Sequence, residues 1–196
     1  MNIWFTSDTH YSHSSISGPE LSKWKSGYRT FKTVQEMNEC LIDTINKYVK
    51  EDDILYHLGD FAFGSPQKMY DFRKSLICKT IHLIKGNHDE IFDEFNEEKR
   101  QRLSFDPYEL FASVRDTYTG YIGKNKFHLS HYSHRVWPSS HKGVIHLHGH
   151  SHGSIPDYGK SMDVGIDAHK EFRPFHINEI LQLMEKREIV KVDHHV

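Results

Sequence analysis

The stretch Leu83-Ile84-Lys85-Gly86-Asn87-His88-Asp89-Glu90 decides the fold, because it joins an apolar segment to a turn of ligand-type residues. The residues from Thr80 to Ile84 are β-branched and apolar, which predicts a buried strand, and an acidic, helix-like run begins at Ile91. The Gly-Asn-His-Asp turn is therefore expected at the carboxyl end of a strand, where α/β sheets carry their chemistry. Glycine permits a tight turn, Asn87 offers an amide oxygen to a hard cation, and His88 offers an imidazole that titrates near neutral pH.

Similar residues follow other predicted strands, which makes this turn more informative than it would be alone. The stretches are Asp8-Thr9-His10, Gly59-Asp60, His131, and Gly149-His150-Ser151-His152. Asp8 and His10 are two residues apart, so in an extended chain both side chains point to the same face and can reach one metal ion. An Asp-initiated turn is the alternative for this pair, and it would be favoured if the pair stood alone.

Length and composition favour one compact domain over residues 1–196. The chain has 196 residues, with 37% hydrophobic and 27% charged residues, which is ordinary for a water-soluble globular protein. The formal net charge is -2, so no overall basic field attracts nucleic acid or an anionic membrane surface. An anionic substrate must therefore be attracted locally.

The cysteines and the amino-terminal residues favour a cytoplasmic protein. Cys40 and Cys78 fall inside helical patterns, which predicts buried packing thiols in a reducing compartment. A strand from Asn2 to Ser7 leaves no room for the charged and apolar regions of a signal peptide. No apolar run approaches the length of a membrane span, so no membrane partner is expected.

The first half of the chain alternates predicted strands and helices. Thr33 followed by Glu36 is a capping-box pattern, and Ser65-Pro66 supplies an N-cap and a proline at the first helical position. The predicted strands are Asn2–Ser7, Asp53–Leu58 and Thr80–Ile84, and the predicted helices run from Thr33 to about Lys50 and from Ser65 to about Cys78. This order predicts parallel pairing through right-handed crossovers.

The segment from Tyr11 to Thr30 lacks a clear period and is expected to be a loop or short-helix insertion near the site. Its basic and aromatic residues could contact a phosphate or a base, or they could form a solvated surface. They are Lys23, Trp24, Lys25, Tyr28 and Arg29.

The second half is richer in predicted strands. A surface helix is expected from Ile91 to about Leu103, a closing helix contains Ile177, Ile180, Leu181 and Met184, and a last strand could span Glu188 to Val192. Four strands with short connections predict a second, mixed or antiparallel sheet: Val114–Ile122, Lys126–Ser130, Val144–His148 and Met162–Ile166.

Histidine is the compositional outlier, with 17 residues, so position must sort ligands from ordinary histidines. His146, His148, His150 and His152 alternate and would share one face of an extended strand. Because Gly149 is expected to bend the chain, His150 and His152 are predicted at the metals. His146 and His148 would then support those ligands or lie on the surface.

Taken in order, these blocks resemble the pattern of the calcineurin-like metallophosphoesterases, which runs Asp-x-His, Gly-Asp, Gly-Asn-His-Asp/Glu, His and Gly-His-x-His. The blocks cover residues 8 to 152. Thr6-Ser7-Asp8-Thr9-His10-Tyr11-Ser12-His13, and His131-Tyr132 with Trp137-Pro138, also resemble a compact bacterial and phage branch of the family. The resemblance implies an α/β fold, a four-layer αββα sandwich of two β-sheets flanked by helices, with two divalent metal ions at the strand ends.

The resemblance also implies a role for each residue of the pattern. It assigns Asp8, His10 and His152 to one metal, Asn87, His131 and His150 to the other, and Asp60 as the carboxylate shared by both. Such a ligand set suits Mn²⁺ first, with Fe²⁺, Zn²⁺ or Ni²⁺ as alternatives. Hydrolysis would use a hydroxide activated between the two metals, and His88 would protonate the leaving oxygen.

Two departures from the pattern bear on the substrate. Relatives of the protein phosphatase branch carry an Asp and an adjacent Arg where this chain has Phe63 and Gly64, so the group that orients His88 is not identified. Asp89 is interpreted as a turn-stabilising or ligand-supporting residue, and a proton shuttle is the alternative. Arg135 is the weak candidate for a phosphate contact, and an exposed structural arginine is the alternative.

The sequence therefore predicts a metallophosphoesterase that hydrolyses a phosphomonoester or phosphodiester bond in a small or nucleotide-like substrate, with no long duplex nucleic acid as partner. The alternatives are a nuclease acting on DNA or RNA and a non-catalytic interaction scaffold on the same fold. A histidine-rich metal-binding protein is disfavoured, because the ligand residues are spread over five strand ends and not gathered in one run.

Overall fold

The first sheet forms as the apolar segments predict. The computed structural model describes residues 1–22, 27 and 29–191, so Lys23, Trp24, Lys25 and Tyr28 lie outside the described residues. Strands β1 (Ile3–Thr6), β2 (Ile54–His57) and β3 (Thr80–Ile84) pair in parallel, which confirms the predicted order. Strand β4 (Ser113–Arg115) continues the sheet in parallel beside β3, and the short β9 (Phe175–His176) runs antiparallel beside β1.

Helices cover one face of this sheet. Helix α1 (Ser14–Ser17) lies in the predicted insertion, and α2 (Val34–Tyr48) and α3 (Pro66–Ser75) are the crossover helices. The hydroxyl of Thr33 accepts a hydrogen bond from the backbone N–H of Glu36 at 3.0 Å, as the capping pattern predicts. The buried side chains of this layer are Met37, Leu41 and Ile45 of α2 and Met69 and Phe72 of α3, packed on Leu55, Ile81 and Leu83 of the sheet.

The second sheet is mixed, which confirms that prediction. It is built of β5 (Thr117–Ile122), β6 (Asn125–Ser130), β7 (Ile145–His148) and β8 (Ser161–Asp163), in that order. Strands β5 and β6 are antiparallel, whereas β6, β7 and β8 are parallel to one another.

The two sheets face each other across a second core, and helix α5 (Ile177–Glu185) closes it, as predicted. Its members include Phe5, Leu58 and Ile84 from the first sheet, Phe127, Leu129 and Leu147 from the second, and Ile180 and Met184 from α5. The predicted α/β sandwich of two sheets with helices is therefore confirmed. The outer face of the second sheet is covered by the segment 131–142, where the buried Trp137 ring lies 5.1 Å from His146.

The single strand predicted from Val114 to Ile122 is wrong, because the segment belongs to two sheets. Strand β4 ends at Arg115, and β5 starts at Thr117. Between them Asp116 forms an ion pair with the Lys85 ammonium at 2.7 Å, where the chain leaves the first sheet. An apolar pattern has the same period in either sheet, so it cannot reveal such a change of partner.

Other boundaries also differ from prediction. The helix expected from Ile91 to Leu103 is replaced by two 3₁₀ turns (Glu90–Phe92 and Glu94–Asn96) and a short α4 (Glu97–Gln101). The Arg100 guanidinium donates to the carbonyls of Ile91 and Asp93, which a continuous helix would use internally.

Towards the carboxyl end, the strand predicted to reach Ile166 stops at Asp163, and a 3₁₀ turn follows at Ile166–Ala168. Residues 188–191 form no strand, and Val192 lies outside the described residues. Within the described part of the chain, no helix is long and apolar enough to cross a membrane.

Candidate metal centre

The ligand-type residues meet where the strands of both sheets end, as the sequence predicts. Asp8 follows β1, Asp60 follows β2, Asn87 follows β3, His131 follows β6, and His150 follows β7. The turns that carry these residues are strained. Of the eight non-glycine residues with positive φ in the described chain, five belong to the predicted ligand set: Asp8, His10, Asp60, His150 and His152. Strain of this kind persists where the surrounding structure imposes it, and functional sites are common examples.

The first group of donors consists of Asp8, His10 and His152, whose ligand atoms all lie within 4.8 Å of one another. The Asp8 Oδ1 atom is 3.9 Å from Nε2 of both histidines. Among the described residues, the buried atoms Asp8 Oδ1 and His10 Nδ1 have no hydrogen-bond partner. A buried carboxylate oxygen without a partner is costly, so its position is explained best by a bound cation.

The second group of donors is formed by Asp60, His131 and His150, also within 4.8 Å of one another. The amide oxygen of Asn87 joins it, at 3.1 Å from His131 Nε2 and 3.1 Å from His150 Nδ1. Asp60 Oδ2 lies 3.4 Å from His10 Nε2 and 3.5 Å from His131 Nε2. Asp60 is therefore placed between the two groups, where a carboxylate shared by two ions would have to lie.

The electrostatics of the site favour a cation. Burial raises the pKa of the Asp8 carboxyl to about 8, and the neighbouring Asp60 and Asp163 carboxylates add to this effect, while His152 opposes it. Burial also lowers the pKa of His10 well below its usual value, so the ring is neutral and its lone pair is available. Oxygen donors together with neutral imidazoles fit a borderline or hard divalent ion.

Arg29 and Asp167 support this site, and their roles were not predicted. The Asp167 carboxylate lies 2.7 Å from His152 Nδ1 and accepts hydrogen bonds from Arg29 at 2.8 and 2.9 Å. The buried Arg29 guanidinium also donates to the backbone carbonyls of Asp8 and Thr9. Although burial alone would raise it, the pKa of Asp167 is held below its usual range by Arg29. The pair therefore orients His152 and fixes the turn that carries Asp8.

Asp89 joins the Gly-Asn-His-Asp turn to the turn after β2. Its carboxylate accepts hydrogen bonds from the backbone N–H groups of Gly86 and Asp60, both at 2.8 Å, and of Phe61 at 3.2 Å. Burial raises the pKa of Asp89 to about 7, although the three N–H donors oppose the shift. This is the turn-stabilising position expected from the sequence.

His88 faces the same space as the donors. Its ring centroid is 5.5 Å from that of His10 and 5.1 Å from that of Phe63, and its backbone N–H donates to Asp60 Oδ1 at 2.8 Å. The donor atoms of His10, Asp60 and His88 also lie within 4.8 Å of one another. Its position is compatible with a proton-donor role and with a ligand role.

A cavity of about 850 Å³ opens over the centre. The donors line it together with the apolar side chains of Ile16, Phe63 and Ile155. The ring of His13 stacks on Phe63 at a centroid distance of 3.7 Å. Among the described lining residues there is no Lys or Arg. Phe63 thus places an aromatic wall where the phosphatase pattern has a carboxylate.

Arg135, the weak candidate for a phosphate contact, is not brought to this cavity. Its side chain is exposed, and the guanidinium lies 4.3 Å from the centroid of the Tyr158 ring. The expectation of a phosphate contact is therefore not supported, and the structural alternative fits better. In the sequence, Tyr132 is only part of a segment that resembles the bacterial and phage branch. Its side chain does reach the site, since its hydroxyl donates to Asn87 Oδ1 at 3.3 Å.

His146 and His148 are both buried, which excludes the surface alternative for them. The two ring nitrogens of His146 lie 2.8 Å from the hydroxyls of Ser130 on β6 and Ser161 on β8.

The chain belongs to the calcineurin-like phosphoesterase family, whose pattern it matches over residues 1–186. The family implies divalent metal ions, and the two donor groups described above are where this chain could hold them.

Individual relatives also match most of the length of the chain. The chain is 29% identical to an uncharacterized protein of Methanocaldococcus jannaschii, covering 96% of this chain and 94% of that protein. It is 25% identical to the gene 66 protein of Mycobacterium phage D29, covering 88% of this chain and 92% of that protein. A solved structure of a protein of unknown function from Aquifex aeolicus is similar in fold, with a TM-score of 0.61 at 20% identity, covering 93% of this chain and 98% of that one.

Proposed function

We propose that this protein is a metal-dependent phosphoesterase that hydrolyses a phosphomonoester or phosphodiester bond in a small or nucleotide-like substrate. The observation that carries the proposal is the convergence of the predicted ligands from separate strand ends, with Asp8 Oδ1 buried, facing the other donors and unpartnered among the described residues. A non-catalytic scaffold would have no need of such an arrangement, since unpartnered buried polar atoms destabilise a fold.

Two divalent ions would be held by the two donor groups, with Asp60 shared between them. Asp8, His10 and His152 would hold one ion, and Asn87, His131 and His150 the other. When bound, the ions would supply Lewis acidity and compensate the negative charge of a phosphoryl group. Mn²⁺ is the proposed ion, because the set mixes carboxylate, amide and imidazole donors without a thiolate.

The chain's own residues would bind the substrate and move a proton. His88 lines the cavity beside the donors, and its imidazole would protonate the leaving oxygen. Ile16, Phe63 and Ile155 would contact an apolar or aromatic leaving group. These apolar side chains suit the base of a nucleoside better than a sugar or a phosphate group.

A long nucleic-acid duplex is not the proposed substrate. The net charge is -2, and the described cavity lining includes no Lys or Arg that could neutralise a phosphate backbone. Turnover should therefore fall only gently as salt is raised. A protein that makes about 6–10 phosphate contacts would instead lose roughly 10³–10⁵ in affinity between 50 and 200 mM salt.

The test combines metal analysis with a panel of phosphoesters. Protein stripped by a chelator and reloaded with Mn²⁺ should hold two ions per chain and hydrolyse p-nitrophenyl phosphate, bis-p-nitrophenyl phosphate or a cyclic nucleotide. Asp60→Ala should lose both ions and the activity. Asp52→Ala is the matched control, because that side chain is 89% exposed.

Each contrary result would point to a different alternative. A fully active preparation with at most one metal per chain would refute the two-metal proposal. Loaded protein that hydrolyses nothing in the panel would favour a scaffold, and tight, steeply salt-dependent binding to duplex DNA would favour a nuclease.

A further inference from the structure

A second group of histidines lies on the outer face of the second sheet. His128 on β6 and His146 on β7 are direct neighbours in the register of the two parallel strands, and His134 lies in the segment that covers this face. We call these three residues the outer histidine cluster. One ring nitrogen of each lies within 4.8 Å of a ring nitrogen of the others.

Two ring nitrogens of His128 and His134 are within hydrogen-bond distance of each other, which is also as close as two ligands of one ion would be. His128 Nε2 and His134 Nδ1 are 3.1 Å apart. Two nitrogens bound tetrahedrally to one zinc ion are about 3.3 Å apart, given Zn–N distances of about 2.0–2.1 Å. The other nitrogen of His128 lies 2.7 Å from the hydroxyl of Thr119, its cross-strand partner on β5. A hydrogen-bond partner on the second nitrogen of a metal-binding histidine fixes the tautomer and the orientation of the ring, and the Thr119 hydroxyl can do so here.

His146 is held by two serine hydroxyls. Ser130 Oγ lies 2.8 Å from His146 Nε2, and Ser161 Oγ lies 2.8 Å from His146 Nδ1. The Ser130 hydroxyl donates to the carbonyl of Tyr132, so it accepts from Nε2–H, and Ser161 donates to Nδ1. To bind an ion through Nε2, neutral His146 would adopt the other tautomer, with its single proton on Nδ1, where the Ser161 hydroxyl can turn to accept it.

The cluster is electrically neutral. Burial lowers the pKa of His128 to about 4, and burial likewise lowers the pKa values of His134 and His146. All three rings are therefore neutral at neutral pH. A neutral ring keeps one nitrogen without a proton, and that nitrogen can coordinate a metal. Within the described residues, the cluster contains no carboxylate or thiolate, so it offers nitrogen donors alone.

We propose that the outer histidine cluster is a third metal site, selective for ions that prefer imidazole, such as Zn²⁺, Ni²⁺, Co²⁺ or Cu²⁺. Mn²⁺ and Mg²⁺ prefer oxygen donors, so they should fill the candidate metal centre and leave the cluster empty. The cluster shares no residue with that centre, and His146 lies on the face of β7 opposite Ile145 and Leu147, which belong to the core between the two sheets.

Native mass spectrometry and calorimetric titration of the whole chain with Zn²⁺ test the proposal. The wild-type protein should bind one more Zn²⁺ per chain than His134→Ala, whereas the two should bind equal numbers of Mn²⁺. His134 is only partly buried, so its replacement should be tolerated. His141→Ala, on the neighbouring 3₁₀ turn Ser140–Lys142, is the matched control and should keep the wild-type count.

A second variant should lower the affinity of the cluster for Zn²⁺ without removing a ligand. Thr119→Val removes the hydroxyl that orients His128 from an exposed position, and it should weaken the third Zn²⁺ by about 10–100-fold without changing the number of sites. Asp60→Ala should lower the count at the candidate centre but leave the ion that depends on His134. Loss of the ion at the outer histidine cluster and loss of the ions at the candidate metal centre can therefore be measured separately.

Equal Zn²⁺ counts and affinities in wild type, His134→Ala and Thr119→Val would overturn the proposal. The cluster would then be a hydrogen-bonded polar network that holds the 131–142 segment on the sheet. A count that falls by one in His141→Ala as much as in His134→Ala would also overturn it, because the ion would then depend on a residue outside the cluster.

Discussion

Gly86→Ala should disable the metal centre through a single added carbon. A Cβ at this position would lie 2.2 Å from Asp60 Oδ1 and 2.4 Å from the backbone nitrogen of Asp60, where ordinary contacts are 3.4–4 Å. Gly86 is not among the glycines with positive φ, so the substitution adds a clash without backbone strain. The turn after β3 and the turn after β2 must therefore separate by about 1 Å, which moves the shared carboxylate away from the other donors.

The substitution should lower both the stability of the protein and the rate of hydrolysis. Overpacking of this kind typically lowers the free energy of unfolding by about 1–3 kcal/mol. A catalytic group misplaced by about 1 Å can lower the rate by about 10²-fold. The separation should also weaken the hydrogen bonds that Asp89 accepts from Gly86 and Asp60, so loss of stability and loss of metal affinity should occur together.

The assay compares Gly86→Ala with Gly123→Ala in the hairpin between β5 and β6. Gly123 has a φ of +60°, and a Cβ there meets nothing within 4 Å, so alanine adds strain of about 1–2 kcal/mol without a clash. Urea unfolding should show both variants destabilised, but only Gly86→Ala should lose Mn²⁺ binding and Mn²⁺-dependent hydrolysis of bis-p-nitrophenyl phosphate. Full metal binding and activity in Gly86→Ala would refute the reasoning that this close approach holds the centre together.

Three further variants test other parts of the structure. His88→Ala should keep its metal count and lose about 10²–10⁴ in turnover, with the larger loss on alkyl than on p-nitrophenyl esters; loss of an ion would show that His88 is a ligand. Asp167→Asn should weaken the ion held by His152 by about 10–100-fold in calorimetry and spare the other, and unchanged affinities would contradict the orienting role. The hydrogen bond from Arg173 lowers the pKa of Glu179 to about 2 from its usual 4.5, so its stabilisation is present above pH 4.5 and is lost as the pH falls towards 2. Glu179→Gln should therefore cost about 1 kcal/mol at pH 7 after allowance for solvent screening and nothing near pH 2, and an equal cost in urea unfolding at both pH values would contradict this.

The parts of the fold that the sequence predicts are those in which local pattern and long-range structure agree. Each strand of the parallel core is a short apolar run that ends in a polar turn, so the pattern alone places Asp8, Asp60 and Asn87 at one edge of the sheet. The division between β4 and β5 could not be predicted, because both strands alternate in the same way and only their partners differ.

The supporting residues of the site escaped prediction for another reason. Arg29 and Asp167 are 138 residues apart in sequence, and neither stands in a motif. Asp167 directly follows the strand predicted to end at Ile166, and that position is the one signal that could have singled it out. Arg29 lies in a stretch whose basic residues resemble an exposed surface, yet it is 6% exposed and forms hydrogen bonds to the backbone of two residues in the ligand turn. Only the folded chain shows that an arginine is desolvated, and a desolvated arginine requires a carboxylate partner. The sequence by itself therefore gives no reason to pair Arg29 with Asp167.

The backbone at the ligand-type residues is unfavourable for folding in the absence of an ion. Asp8, His10 and Asp60 adopt left-handed backbone conformations that cost roughly 1–3 kcal/mol each, and burial opposes the charge on the Asp8 carboxyl as well. Nothing in an Asp-x-His or Gly-Asp motif reveals these costs, because propensity scales describe the residue and not the turn that holds it. A cation that binds the folded chain and not the unfolded one stabilises the fold by mass action, by about 2.7 kcal/mol at a hundred times its Kd. The features that are unfavourable for folding are thus the features that ion binding would offset, so we infer that this edge of the sheets is shaped for its ligands more than for the stability of the chain alone.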